Sequence, residues 1–533
     1  MLAYPLLRRA LTLVPTSFRQ VISKNVHMFW LGLLSVALSA GWFLLDGHIN
    51  VNLSDEGFLW YGTYAMRHGQ VPMRDFQAYD PGRYLWTAAW SYVFGDGLVA
   101  MRLACVLFQC LGVLAGLLAA RRLSRNPFFL TAVALLFCAW MHPRFKLFEQ
   151  SIALLSIYAG VLLLEKPTVR RHFAVGVFGG LMAFMGRNHG AYHVVAFGLL
   201  IAWAARAEGW RVWCQRGAAW VGGMLVGYLP QWLMLLCVPG YFSGFVENLR
   251  TILVKGTNLP AKVPWPWRVT ESYTGWLRWS GIVEGCYYVA FPLFFLLVGL
   301  RMWRLGGIRL ANQPVLMAAV CVTLPYTHYV FSRPDIVHLS HAAPALALGI
   351  IALAWTMTNW IAGLRMVAAP LLAATGLLAN LYQIGFALEV LAEPQSMFPV
   401  EIRGQRLSVQ TYFAKVLASA RTLNTDLAKK DEPILFVPNL PGLYPFTGRL
   451  SPIEQIYFIY PATPKEDSAL LAEINAAGVQ WVMMHDYALD GREELRFRNT
   501  NPIVFTYLRE NFELVSIPTL PRDMFVLHRT RRP

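Results

Sequence analysis

Two adjacent carboxylates, Asp55 and Glu56, sit in the stretch NLSDEGFLWYGTYAMRHG, directly after the first long apolar run of the chain. Four later segments add Arg, Lys or His, often beside an acid: YDPGRY, MHPRFKLFEQS, GRNHGAYH and SRPDIVHLSH. They supply Tyr79, Asp80, Arg83, Arg144, Lys146, Glu149, Arg187, His189, Arg333, Asp335 and His338 as candidate binding residues. A carboxylate facing a group of cations can deprotonate an acceptor hydroxyl while the cations hold and neutralise a departing phosphate. Arg suits that task through its fixed fork of donors. Transfer of a group from a lipid-linked phosphate needs this arrangement. No glycine-rich phosphate loop, HExxH or GxSxG occurs, so nucleotide-driven transport, zinc proteolysis and serine-hydrolase chemistry lack their signatures.

Each cluster also has a structural explanation. Ser54 is a good N-cap, and Asp55 and Glu56 would then favour the positive end of a helix dipole. Arg144 and Lys146 could snorkel to headgroups, and Asp335 could pair with Arg333. The case for chemistry rests on convergence, which the elements around these residues must provide.

Only 14% of the 533 residues are charged and 56% are hydrophobic. A soluble domain carries about 25% charged residues, so the composition is that of a polytopic membrane protein. The net charge of +16 comes from 46 Lys+Arg against 30 Asp+Glu. Residues 390–533 hold 16 of each, leaving 30 basic and 14 acidic residues in 1–389 (46 − 16 and 30 − 16). The excess lies wholly in the apolar part, which argues against nucleic-acid binding. The seven cysteines show no CxxC spacing, so no zinc or redox motif is read. No spacing demands a metal, although a divalent cation could join the carboxylates.

Eleven apolar segments of roughly span length run over about 28–45, 97–120, 127–142, 147–164, 173–187, 189–205, 218–238, 281–300, 314–331, 341–358 and 366–386. Alternate loops are basic: Arg8/Arg9/Arg19/Lys24, Arg121/Arg122/Arg125, Lys166/Arg170/Arg171, Arg206/Arg211/Arg216, Arg301/Arg304/Arg309 and Arg365. The positive-inside rule makes these loops and the N-terminus cytoplasmic. Asp55, Glu56, Asp75, Asp80, Asp96, Glu149, Glu247, Glu271, Glu284 and Asp335 then all fall on the outer side. Ionisable groups where spans meet that interface are functional candidates by default.

Outer loops 46–96 and 239–280 are long. The run GFLWYGTYAMRHG is amphipathic and is expected along the interface, with Trp60, Tyr61 and Tyr64 at headgroup level. The second loop, rich in Pro, Trp and cations, reads as a surface loop. The basic N-terminus lacks a cleavage site and reads as a retained first span. Residues 390–533 form an expected small extracytoplasmic α/β domain with its connector. PILFVPN, VQWVMMHD and MFVLHR read as strands, and TPKEDSALLAEINAAG and NPIVFTYLREN as helices.

The order SDEGFLWYGTYAMRHGQVPMRDF, YDPGRYLWTAAWSYVFGDGLVAMRL, LAGLLAARRL resembles the start of the GT-C glycosyltransferases. The group it is most similar to is that of the protein O-mannosyltransferases and aminoarabinose transferases. Those enzymes place an acidic motif in the first outer loop, then a Pro-containing motif before an aromatic helix. An FG turn, an Arg in the next span and a basic inner end follow. Asp55-Glu56, Pro81, Tyr84-Leu85-Trp86, Phe94-Gly95, Arg102 and Arg121-Arg122 occupy those places in order. SRPDIVHLSHAAPALAL and the tail LPGLYPFTGR … VQWVMMHD look like the late outer segment and periplasmic domain of bacterial relatives.

The resemblance implies a GT-C-like polytopic α-helical protein of the bacterial inner membrane. It would carry out inverting transfer of a sugar from a polyprenyl-phosphate donor to an acceptor hydroxyl on the outer face. Asp55 would be the base, with Glu56 orienting it or the acceptor. Many relatives have Lys-Pro-Pro where this chain has Asp80-Pro81-Gly82-Arg83, so Arg83 is the expected substitute for the phosphate cation. Arg144, Lys146, Arg187 and Arg333 are further candidates by position, and Glu149 and His189 could line the same cavity. The acceptor could be lipid, glycan or protein. Two rivals are a transporter or lipid flippase, which would need charges deep within spans or broken paired helices, and a non-catalytic scaffold whose acids are only caps.

Overall fold

Backbone in hydrocarbon must satisfy its own hydrogen bonds, so long apolar runs become helices. The structure is a computed structural model that describes residues 16–206, 208–256, 258–269, 275–305, 313–357, 362–381 and 397–530. The expected connector, the boundary at 390, positions 382–386 of the last expected span, and Arg8, Arg9, Glu271 and Arg309 lie outside the described residues.

Each expected apolar segment falls on a helix. The helices are α1 (Thr16–Asp46), α4 (Leu98–Ala120), α5 (Pro127–Trp140), α6 (Leu147–Glu165), α7 (Val169–Met185), α8 (Arg187–Ala205), α9 (Trp210–Gly227) with α10 (Leu229–Cys237), α12 (Gly275–Leu305), α13 (Pro314–Ser332), α14 (Ile336–Thr356) and α15 (Ala362–Ala379). Among the described residues six of them (α1, α4, α6, α12, α13 and α14) are long and apolar enough to cross a membrane. The α9–α10 pair, bent by 50°, makes a seventh if taken as one span. This is a multi-pass membrane protein. The eleven expected spans are thus eleven helical segments of unequal reach. The 14 residues of α5 extend only about 21 Å at 1.5 Å each. α7 has 17 residues, and α8 opens with the polar run RNHGAYH.

Loop 46–96 carries two helices, α2 (Asp55–Arg67) and α3 (Pro81–Phe94). Contrary to the interfacial expectation, Trp60, Tyr61 and Tyr64 are buried. The Trp60 indole donates to the Asp96 carbonyl at 3.0 Å, and the Tyr61 ring lies 5.2 Å from that of Tyr444. A second surface, the C-terminal region, covers the apolar face that periodicity alone assigned to lipid. Loop 239–280 likewise begins with a helix, α11 (Tyr241–Lys255), entered through Gly240 at φ 78°.

The tail opens with the hairpin β1 (Met397–Ile402) and β2 (Gln405–Gln410), turned through Arg403 and Gly404, both at positive φ. The hairpin docks on the first loop. The Asn50 amide donates to the Ser408 carbonyl at 2.7 Å, and the Gln405 side chain accepts from the Val99 amide at the start of α4 at 2.9 Å. After α16 (Thr411–Thr422), a four-stranded sheet runs in the order β3 (Ile434–Val437), β4 (Trp481–His485), β6 (Met524–Arg529), β5 (Phe512–Val515). β3 and β4 are parallel and the other pairs antiparallel. β3, β4 and β6 are the three strands expected. The short helices α17 (Leu443–Thr447) and α19 (Phe497–Thr500) join α18 (Pro464–Ala476) and α20 (Pro502–Asn511), the two helices read from sequence. A Thr463–Glu466 capping box starts α18, and Gly478 follows it at φ 62°.

The tail meets α2 backbone to backbone. A Cβ added to Gly57 would lie 2.5 Å from the Gly442 nitrogen, and the Gly442 amide donates to the Leu53 carbonyl at 2.9 Å. Overpacking of this kind costs typically ~1–3 kcal/mol. Gly57→Ala should therefore lower the thermal unfolding midpoint of the detergent-solubilised protein, while Gly198→Ala, with open space around it, should not.

Candidate active site

Asx capping begins the site. The Asn52 side chain accepts from the backbone amides of Ser54 and Asp55, both at 3.0 Å. Ser54, the expected cap, makes no side-chain cap; its hydroxyl donates to the Asn439 carbonyl at 2.7 Å. Asp55 and Glu56 do occupy the first turn of α2, and one residue of rotation sends their carboxylates to different places.

Glu56 points inward and has no exposed surface. Arg102, equally buried, grips it with two bonds of 2.7 Å, from Nε to Oε1 and from Nη2 to Oε2. Arg144 adds a 3.3 Å contact and the Asn52 amide one of 3.2 Å. Burial alone would raise the Glu56 pKa, but Arg102 and Arg144 hold it down at about 2.

Asp55 is partly exposed, with 37% of its side chain in contact with solvent. Lys146 Nζ lies 3.4 Å from Oδ2, and the Tyr457 hydroxyl donates to Oδ1 at 2.5 Å. The surrounding protein desolvates the carboxylate, which would raise its pKa. The Lys146 charge and the Tyr457 bond outweigh this and hold it below the ordinary value. In turn, Asp55 outweighs desolvation at Lys146 and lifts the ammonium above its usual value.

The remaining candidates are paired with one another or with neighbouring residues. Buried Arg83 bonds Glu149 at 3.1 Å and the Met185 carbonyl at 3.2 Å, under the Tyr79 ring at 4.9 Å. That contact with Glu149 keeps the guanidinium charged despite burial. Tyr79 adjoins this pair and the Asp55–Lys146 pair, and its ring lies 4.7 Å from Phe58. Arg187 pairs with Asp80 at 2.7 Å and donates to Asn248 at 2.6 Å. Arg333 bridges Asp335 and Asp490, both at 2.9 Å, and Asp335 also caps α14 by accepting from the His338 amide. The His338 ring and Arg333 hold the Asp335 carboxyl well below the usual range against the opposing effect of burial. His189 Nδ1 meets the Tyr326 hydroxyl at 2.9 Å. Glu149 Oε2 and His189 Nε2 are buried without a partner among the described residues.

The structure thus gathers Asp55, Lys146, Tyr79, Arg83 and Glu149, with Arg333 and Asp335 at the rim. Arg144 serves Glu56 rather than Asp55. Sequence reasoning missed Tyr457, which carries no local signal. It had a signal for Arg102, an arginine within an apolar span. Among the described residues no three His, Cys, Asp or Glu side chains gather as a metal site.

No family model matches the chain, and no curated protein matches it significantly. Solved structures do. Superposition on ArnT from Cupriavidus metallidurans bound to undecaprenyl phosphate gives a TM-score of 0.53 at 14% identity, covering 93% of this chain and 97% of that one. The same protein in its apo state gives 0.49 at 15% identity, covering 93% and 97%. The oligosaccharyltransferase AglB from Archaeoglobus fulgidus gives 0.46 at 11% identity, covering 95% and 75%. The first likeness shows that this chain shares the fold of that protein.

Removing one partner of a buried ion pair strands a charge and costs ~3–5 kcal/mol. Arg102→Met should destabilise the protein by that order, and Arg102→Met with Glu56→Leu should recover most of the loss in thermal unfolding. Glu56 has a folded pKa below its ordinary 4.5, so its contribution is complete above about 4.5 and is lost as pH falls toward about 2. Acid unfolding monitored by tryptophan fluorescence should fall in that window, and the double variant should lose this component.

Proposed function

We propose that this protein is an inverting glycosyltransferase that moves a sugar from a polyprenyl-phosphate donor to an acceptor hydroxyl at the outer face of the bacterial inner membrane. The N-terminus would be cytoplasmic, residues 1–389 would hold the donor, and residues 390–533 would form a periplasmic domain. The observation that carries this reading is the partly exposed Asp55 carboxylate with Lys146 at 3.4 Å. The fold shared with ArnT, which was solved with undecaprenyl phosphate, supports a lipid-phosphate donor.

In this reaction Asp55 takes the acceptor proton as the acceptor oxygen attacks the anomeric carbon from the face opposite the phosphate. The bond from that carbon to the phosphate oxygen breaks, and its electron pair leaves on the phosphate. Held ionised, Asp55 is ready to act as a base at neutral pH. Lys146 faces the developing phosphate charge and takes the part expected of Arg83, whose guanidinium is engaged by Glu149. Glu56 acts as a positioning residue, fixing the first turn of α2 through Arg102. Arg187 with Asp80, and Arg333 with Asp335 and His338, would flank the donor, and Tyr79 and His189 would lie beside it.

Asp55→Asn, nearly isosteric, should lower turnover by about 10²–10⁴-fold. Lys146→Met should cost about 10²–10³-fold and Lys146→Arg less. Release of undecaprenyl phosphate from an undecaprenyl-phosphate-linked sugar in reconstituted vesicles, read by mass spectrometry, measures both. Wild-type turnover in Asp55→Asn would remove the base assignment, and with it the mechanism.

A further inference from the structure

Asp55 is shared between two parts of the chain, the second of which lies 402 positions from it. Lys146, just before α6, reaches Oδ2, whereas Tyr457, between α17 and α18, donates to Oδ1. We propose that Tyr457 is a positioning residue of the active site: its hydroxyl fixes Oδ1 and leaves Oδ2, beside Lys146, as the oxygen that takes the acceptor proton. This rests on the assignment of Asp55 as the base and extends the site to the C-terminal region.

A terminal carboxylate torsion is broad and roughly two-fold, so one 3.4 Å ion pair leaves its two oxygens interchangeable. A short hydroxyl bond distinguishes them. Tyr457 can impose that choice because its own position is fixed. Its backbone amide donates to Gln77 Oε1 at 3.1 Å, and its ring meets Phe58 of α2 edge-on at 5.5 Å. The next amide, Phe458, donates to Asn439 Oδ1 at 3.1 Å. Asn439 in turn accepts from Ser54, the residue before Asp55, and donates to Tyr487 at 3.0 Å. The clamp therefore closes on Asp55 from the first outer loop and from the tail. Burial and the Asp55 charge raise the Tyr457 phenol well above its ordinary value, so it stays a neutral donor and does not compete as a base.

The groups facing Asp55 are Lys146 and Arg333 among the cations and Tyr457, Tyr79 and Tyr487 among the phenols. Glu56 is turned away to Arg102. Loss of a hydrogen bond to the ionised form raises a carboxyl pKa. A test that needs neither donor nor acceptor follows. Full-length protein in nanodiscs is treated with a hydrophobic carbodiimide, which modifies protonated carboxyls, and labelling of the Asp55 peptide is followed against pH.

Tyr457→Phe should move half-labelling upward by about one pH unit, with the thermal midpoint unchanged. Lys146→Met should move it in the same direction. Should Tyr457→Phe fail to fold, Gln77→Leu, which loosens the clamp, decides the matter with a smaller upward shift. Wild-type half-labelling in a folded Tyr457→Phe, or in Gln77→Leu in that event, would overturn the proposal. In turnover of the undecaprenyl-phosphate-linked sugar, Tyr457→Phe should lower kcat about tenfold with little change in donor KM. An active Asp55→Asn would defeat the base assignment while leaving the labelling shift in place, so the two failures are distinguishable.

Discussion

An arginine and a glutamate, both without exposed surface, meet in parallel bonds of 2.7 Å at the N-terminal end of α4. Taking two charges out of water is expensive, and the geometry repays it only if the leftover donors and acceptors are also used. Here they are. Arg102 donates to the carbonyls of Gly47 and Asn50, and Glu56 accepts from Asn52. The turn that carries the chain from α1 to α2 is thus folded around a single guanidinium. Arg144 extends the network by bonding Glu56 and the Asp46 carbonyl, which ties in the segment between α5 and α6. Lys146 lies two residues further along that segment. The pair most deeply withdrawn from solvent therefore fixes the relative position of the pair that faces it.

The C-terminal region completes the enclosure. α2 lies between the helical bundle and the tail, with Gly57 against Gly442 on one side and Gly62 against the Tyr84 ring on another. Side chains at those two glycines would hold the layers apart. The hairpin contributes at the same level, where Gln405 caps α4 and Arg403 pairs with Asp96 at 3.1 Å. Asp55 consequently sits at a three-way junction of first loop, bundle and tail, and the tail presents it with a phenol rather than with solvent.

Much of this was legible because local physics decided it. Apolar length fixed the helical segments, and β3, β4 and β6 are short apolar runs bounded by turn residues. The acidic pair announced the start of α2. Tertiary context decided the rest. Nothing local distinguishes Asn52 from Ser54 as the cap, since both types serve; the engagement of Ser54 by Asn439 does so. The aromatic face of α2 has the periodicity of an interfacial helix, and only the docked tail makes it core. The β1–β2 hairpin turns on Arg403-Gly404, without the Asn-Gly or Asp-Gly signal of such turns. Tyr457 stands in a segment without regular structure, and its role exists only through a contact that sequence cannot register.

The same distinction explains why the motif argument and the geometry differ over the phosphate cation. Position in the second motif favoured Arg83, and Arg offers the better fork for phosphate. In the folded chain Arg83 is committed to Glu149 and the Met185 carbonyl, Arg187 to Asp80 and Asn248, and Arg333 to two aspartates. Arg144 is held by Glu56 and Asp46. At Arg83, Arg144 and Arg333 an incoming phosphate would compete with a carboxylate already in place, whereas Arg187 keeps Nη1 without a partner among the described residues while its other nitrogens hold Asp80 and Asn248. Lys146 alone among these candidates has the proposed base as its carboxylate partner, at 3.4 Å. Its three donors rotate freely, so it can turn to a phosphate without abandoning Asp55. Because Tyr457 still holds Oδ1 when that happens, the carboxylate keeps one strong partner. Of the five cations read from the sequence, Arg83 and Lys146 are thus separated by what each would leave behind, and that favours the weaker binder in the better place.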